Sequence, residues 1–140
     1  MNHLVFLDTR AMELEKILSG VKTMVAKDFE PDPSVGSPVR PGDSLYFLRN
    51  KDDCDLRVKA TVVRVLPLIN CLDEELSHTL KEMQSRLQLT EEQFSCWSAK
   101  KRVLLVEFYS ARKIDVVHVA LDKITDQSKW IAFDAFGFIT

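Results

Sequence analysis

The segment Gly20-Val21-Lys22-Thr23 has the residue types and spacing best suited to chemistry in this chain. The apolar spacing before it reads as a helix that ends on glycine, and a lysine and a threonine follow at once. Such a junction lets backbone N–H groups, an ammonium and a hydroxyl point into one cleft. That set suits a phosphate, a carboxylate or the carbonyl of a base. The same residues would also serve as a plain helix C-cap, with the lysine near the negative end of the helix dipole.

Two further stretches could bind a ligand. Lys100-Lys101-Arg102 follows Trp97, and Arg57, Lys59 and Arg64 lie on or near a long strand. A local basic face with an aromatic can hold single-stranded RNA through phosphates and stacking. Lysines at strand and helix ends also guard edges against aggregation. The run from Lys129 to Phe138 carries Trp130, Phe133, Phe136 and Phe138. These rings could wall a base, fill a core or meet a partner protein.

The remaining polar groups carry less. Asp52, Asp53 and Asp55 sit in a polar turn, and Asp73, Glu74 and Glu75 open a helix. Cys54, Cys71 and Cys96 are far apart, as are His3, His78 and His118. No pair has ligand spacing, so neither a metal site nor a cofactor is expected. The scattered cysteines read as reduced thiols.

A chain of 140 residues fits one domain, residues 1–140, able to bury a core without a staple. A net charge of −2 provides no global basic field. Any nucleic-acid role must rest on a local patch or a single-nucleotide pocket. The N-terminus MNHLVFLDTR lacks the pattern of a signal peptide, and no apolar run spans a bilayer, so no membrane contact is expected and the expected location is cytoplasmic.

His3 to Leu7 reads as a short buried strand. A helix follows, capped by Asp8 or Thr9, with Ala11, Leu14, Ile17, Leu18 and Val21 as its apolar stripe and Gly20 at C′. Thr23 to Lys27 is extended. Residues 28–41 form a loop holding Pro31, Pro33, Pro38 and Pro41, a candidate lid. Pro41-Gly42-Asp43 is a turn before a strand at Ser44 to Arg49. A hairpin loop at 50–55 leads to a strand from Leu56 to Leu66, with a bulge near Val62-Val63. Leu72, Leu76, Leu80, Met83 and Leu87 mark one amphipathic helix, and Thr90 with Gln93 makes a capping box for another through Trp97. Strands are expected at Arg102 to Tyr109, Lys113 to Leu121 and Trp130 to Ile139. Without a βαβ rhythm, the pattern predicts an α+β fold, a small, mostly antiparallel barrel flanked by two or three helices.

Ile17-Leu18-Ser19-Gly20-Val21-Lys22-Thr23, then Lys27, then Pro41-Gly42-Asp43 entering a strand and Val106-Glu107-Phe108 in a later one resembles the ASCH branch of the PUA-like superfamily. The resemblance spans roughly residues 4 to 109. It implies a PUA-like β-barrel with a cleft. PUA-like domains commonly bind RNA or modified bases, and some ASCH proteins hydrolyse acylated cytidine. In those hydrolases the catalytic set resembles a lysine in the Gly-x-Lys-Thr turn, a threonine nucleophile three residues on and a glutamate in the later helical region. Lys22 matches the lysine. The nucleophile position falls on Val25, as does the acidic position of the wider family; the arginine position is Lys27 and the glutamate position lies near Ser85, with Glu82 one turn away.

Val25 has no hydroxyl, thiol or amine to activate, which favours binding over catalysis. The expectation is therefore a module that holds RNA or a nucleotide-like small molecule through Gly20, Lys22, Thr23 and Lys27. Two alternatives stand beside it: an amidohydrolase of an acylated nucleoside such as acetylcytidine, and a protein–protein adaptor using the aromatic tail. The sequence leaves the oligomeric state open.

Overall fold

The computed structural model describes residues 2–7, 11–28, 39–48, 55–69, 75–119 and 130–133. Its strands are β1 (Asn2–Phe6), β2 (Met24–Asp28), β3 (Ser44–Leu48), β4 (Asp55–Ile69), β5 (Arg102–His118) and β6 (Trp130–Phe133). Its helices are α1 (Glu13–Leu18), α2 (Glu75–Glu82), α3 (Gln84–Leu87) and α4 (Glu91–Ser98). The strands form a single sheet in the order β2-β5-β4-β3-β1-β6, curled into a half-barrel. Only β1 and β3 run parallel among the described pairs. The α+β, mostly antiparallel PUA-like fold read from the sequence is thus present as a half-barrel, with four described helices where two or three were expected.

The sheet curls because its two long strands are bulged. Val62 pairs with Phe108 and Arg64 with Glu107, which leaves Val63 as the extra residue at the expected place. A second irregularity explains a correction. Arg102 to Tyr109 and Lys113 to Leu121 were expected as two strands, but β5 runs unbroken from Arg102 to His118. Thr61 pairs with Tyr109 and Lys59 with Arg112, so Ser110 and Ala111 together face Ala60. Ser110 takes the left-handed conformation (φ 56°) that a bulge of this kind uses, so the chain kinks without leaving the ladder.

The helices also differ from their patterns. Met12 (φ 54°) occupies the N-cap of α1 with no side-chain cap; Asp8 and Thr9 lie outside the described residues. Ala11, Leu14 and Ile17 are buried, but Leu18, the last residue of α1, and Val21, beyond its end, are exposed. The single helix expected through Leu87 breaks at Met83 into α2 and α3. Leu76, Leu80 and Leu87 remain in one apolar cluster with Met24, Val103 and Leu105 on the outer face of the sheet. The capping box of Thr90 and Gln93 is formed as read. Residues 29–38 of the Pro-rich loop, Cys54, Cys71, Asp52, Asp53, Asp73, Glu74 and residues 134–140 lie outside the described residues.

Inside the curl, Val5, Leu7, Val25, Phe47, Val106 and Phe108 belong to the main core. The turn into β3 has proline then glycine at its centre, and the Asp43 N–H donates to the Arg40 carbonyl at 3.1 Å. Gly42 has φ 92°, as a type II turn requires. An added Cβ would meet nothing within 4 Å, so only backbone strain opposes a side chain there. Gly42→Ala is expected to cost about 1–2 kcal/mol and lower Tm by roughly 3–6 °C. A thermal melt within a degree of wild type would show that the left-handed geometry is not required. No described helix is long and apolar enough to cross a membrane.

Candidate ligand-binding cleft

The Gly20 turn sends Lys22 inward. Gly20 has φ 85°; its N–H donates to the Ile17 carbonyl and the Lys22 N–H to the Lys16 carbonyl, both at 3.1 Å. The Lys22 side chain is 1% exposed, and its Nζ donates to the Leu87 carbonyl. Lys16 Nζ donates to the Gln88 carbonyl (3.1 Å) and the Thr23 N–H to the Arg86 carbonyl (2.9 Å). α1 and the turn after it therefore satisfy three successive carbonyls at the end of α3, groups a helix terminus leaves without partners. Thr23 in turn accepts from the Phe108 N–H at 3.0 Å, which ties the turn to β5.

Burial pushes the Lys22 ammonium down from 10.5 to about 8; the Glu13 carboxylate opposes that shift and Lys16 adds to it. Glu13 is itself fixed by the capping box of α4. Gln93 Oε1 accepts from the Thr90 N–H (3.1 Å), and Gln93 Nε2 donates to Glu13 Oε1 (2.5 Å).

Lys22 and Glu13 line a cleft of about 630 Å³. It lies between β2 and β6, the two outermost strands of the sheet order, with α4 beside them. Val25, Ala26, Lys27 and Asp28 supply one wall, Trp130 and the end of β1 another, and Gln93, Cys96, Trp97 and Lys100 the helical side. Pockets for small organic ligands typically measure about 300–1,000 Å³. Lys27 Nζ lies 5.7 Å from the ring centroid of Trp130, and Lys100 Nζ lies 5.8 Å from that of Trp97. Lys100 also pairs with Asp28 at 3.2 Å. Both partners of that pair are well exposed, so a ligand anion could displace it at little cost.

Trp130 is anchored from behind. Its Nε1–H donates to His3 Nδ1 (3.2 Å), and His3 Nε2 meets Asp43 Oδ2 (2.9 Å). Asp43 Oδ2 also accepts from the Arg40 N–H at 2.9 Å. Burial lowers the His3 pKa; Asp43 opposes this, and Lys27 adds to it. Burial raises the Asp43 pKa, but the hydrogen bonds from His3 and the Arg40 N–H outweigh it, and the net shift is downward.

No family model matches this chain, and no curated protein matches it. Solved structures do. The crystal structure of ASCH from Zymomonas mobilis aligns with a TM-score of 0.67 over 95% of this chain and 87% of that one, at 9% identity. Two variants of that protein, one with a tyrosine replaced by phenylalanine and one with a serine replaced by alanine, align at 0.68 and 10% identity. They cover 91% and 89% of their own chains and 96% of this one. This chain has the ASCH fold. At this identity the likeness concerns the fold alone.

Within the ASCH fold, the expected site residues separate. Lys22 and Lys27 line the cleft together; Gly20 and Thr23 shape the turn and are not among the lining residues. Val25 lines the cleft too, but it is buried in the main core, so the nucleophile position holds an apolar packing group. Ser85 and Glu82 are exposed and do not line the cleft, whose carboxylates are instead Glu13, Asp28 and Glu92. Of the basic stretch, Lys100 reaches the cleft; Lys59 lies over Tyr46 at 5.6 Å, and Arg64 faces Glu107 at 3.4 Å. Sequence reasoning missed Glu13, Gln93 and the His3–Asp43 pair. The capping box was the one signal that could have pointed to Gln93.

Proposed function

We propose that this ASCH-fold chain binds RNA or a nucleotide-like small molecule in the cleft between β2, β6 and α4. One observation carries the reading: two indoles line the cleft, each with a lysine ammonium within 6 Å of its ring centroid. An indole face stacks on any base, and the ammonium that lies over the ring would move aside to pair with the phosphate as the base takes its place. Lys22 and the Gly20-Thr23 turn set the inner end of the site, and Lys27 its phosphate contact.

Titrating the four ribonucleoside 5′-monophosphates and a short oligouridylate tests this. Trp130→Leu should weaken binding about 5- to 150-fold, the value of one base–aromatic stack. Lys27→Ala should weaken the monophosphates, flatten their salt dependence and leave the parent nucleosides unchanged. Equal binding by wild type and Trp130→Leu would remove the cleft assignment.

A second reading rests on Lys22. An amine with a pKa of about 8 is suited to act as a general base. With Val25 at the nucleophile position, it would have to activate water to cleave an acylated nucleoside into a carboxylic acid and the free nucleoside. Turnover of N4-acetylcytidine no faster than that of a Lys22→Met control would end this reading.

A further inference from the structure

We propose that His3 is a positioning residue of the cleft: oriented by Asp43, it locks the Trp130 indole into the plane on which a base stacks. This rests on the nucleotide-binding reading for its purpose, but not for its geometry. Trp130 sits on a strand of four residues at the end of the sheet order. Its indole is half-buried and packs against the main core, which narrows its rotamers but leaves the direction of the ring N–H to be set by a partner.

The hydrogen-bond chain fixes it in one sense only. An indole N–H can only donate, so His3 Nδ1 must present a lone pair. An ionised carboxylate can only accept, so His3 Nε2 must carry the proton. The donor at one end and the acceptor at the other therefore select a single tautomer of a neutral, fully buried imidazole. Asp43 is held in turn by the Arg40 N–H inside the Pro41-Gly42 turn. Rigid loop geometry is thus passed through His3 to the edge of the indole, while a face of the ring remains toward Lys27. The 56° angle between the two rings shows that His3 grips Trp130 by its N–H and does not stack against it.

The chain has two tryptophans, so Trp97→Phe leaves the fluorescence of Trp130 alone. In that background His3→Phe keeps a ring of similar size and deletes both hydrogen bonds. His3→Gln loses the ring, but its amide offers an acceptor and a donor at about the spacing of the imidazole nitrogens. The expected result is that His3→Phe raises acrylamide quenching of Trp130 and lowers its anisotropy in that background, and weakens adenosine 5′-monophosphate roughly three- to tenfold in the chain that keeps Trp97, while His3→Gln restores all three. The opposite order, with Phe like the parent and Gln impaired, is what packing alone produces and would overturn the proposal, as would two variants indistinguishable from the parent.

If His3→Phe does not fold, the wild-type protein still decides. Long-range proton–nitrogen NMR near neutral pH should show His3 protonated at Nε2 and bare at Nδ1. An Nδ1–H tautomer or an imidazolium would overturn the assignment. The fluorescence measurements without nucleotide separate the two failures. A wild type that binds no nucleotide removes the nucleotide reading; unchanged quenching in folded His3→Phe removes the role of His3.

Discussion

Lys22→Met is expected to lose nucleotide affinity about tenfold at pH 7 while staying within ~2 kcal/mol of wild-type stability at that pH. Two opposing changes produce this. Methionine removes the donor to the Leu87 carbonyl, and an unpaired buried carbonyl costs about 1–3 kcal/mol. It also removes an ammonium whose burial is unfavourable, as its descent from 10.5 to about 8 records. The pH dependence follows from that descent. Below about 8 both the folded and the unfolded chain hold the proton, and the folded state bears the full cost of the buried charge. Between about 8 and 10.5 the unfolded chain keeps the proton and the folded one releases it, so wild-type stability rises with pH. At ~1.4 kcal/mol per unit, the wild type should gain ~3 kcal/mol on the variant across that interval. Urea unfolding of both proteins at pH 7 and pH 10 measures it. A gap that stays constant would mean that Lys22 titrates as an ordinary lysine. Anion binding by the wild type should weaken over the same rise in pH, because the neutral amine no longer supplies a charge.

The second large effect lies beneath the cleft. Phe47→Ala should destabilise the fold by about 3–5 kcal/mol. Phe47 is 1% exposed on β3, and its ring lies tilted against Phe108 with centroids 5.3 Å apart. The truncation removes a large buried surface and an aromatic pair in the cluster that includes Val5, Leu7 and Val25, which also line the cleft. With domain stabilities of about 5–15 kcal/mol, the variant should stand near the limit of folding at 37 °C. A denaturation midpoint close to wild type would show that this core can collapse into the space.

What could be read from the sequence follows the range of the interactions. The Gly20 turn, the Pro41-Gly42-Asp43 turn, the capping box and the bulge at Val63 each depend on a few neighbouring residues, and each is present. The break at Met83 has no such signal. Leu76, Leu80, Met83 and Leu87 are spaced for one helix, and contacts from residues 16–23 to the carbonyls of Arg86, Leu87 and Gln88 accompany the break. Lys22 was identified as a candidate, but its burial was not, because the helix that covers it lies 65 positions away. His3 looked like one of three scattered histidines; its partners stand 40 and 127 residues along the chain. Composition and local spacing carry no trace of such pairings. The cleft is defined by the same long-range contacts, which is why residue types alone could suggest Lys22, Lys27 and Trp130 as candidates but not Glu13, Gln93 or the anchoring of Trp130 by His3.

The pairing of β1 with β6 has a consequence for how the molecule comes to exist. As the chain leaves the ribosome, β1 can pair with β3 once residue 48 has emerged, but its other edge must wait for residues 130–133. Contacts of such long sequence separation form late, because loop closure must be offset before they stabilise anything. Until then His3 and Leu4 lie beside an unfilled edge, and one wall of the cleft does not exist. A nascent or truncated chain that stops short of residue 130 can thus hold most of its sheet and still lack one wall of the cleft, so that any binding there must wait for β6 to be made and docked.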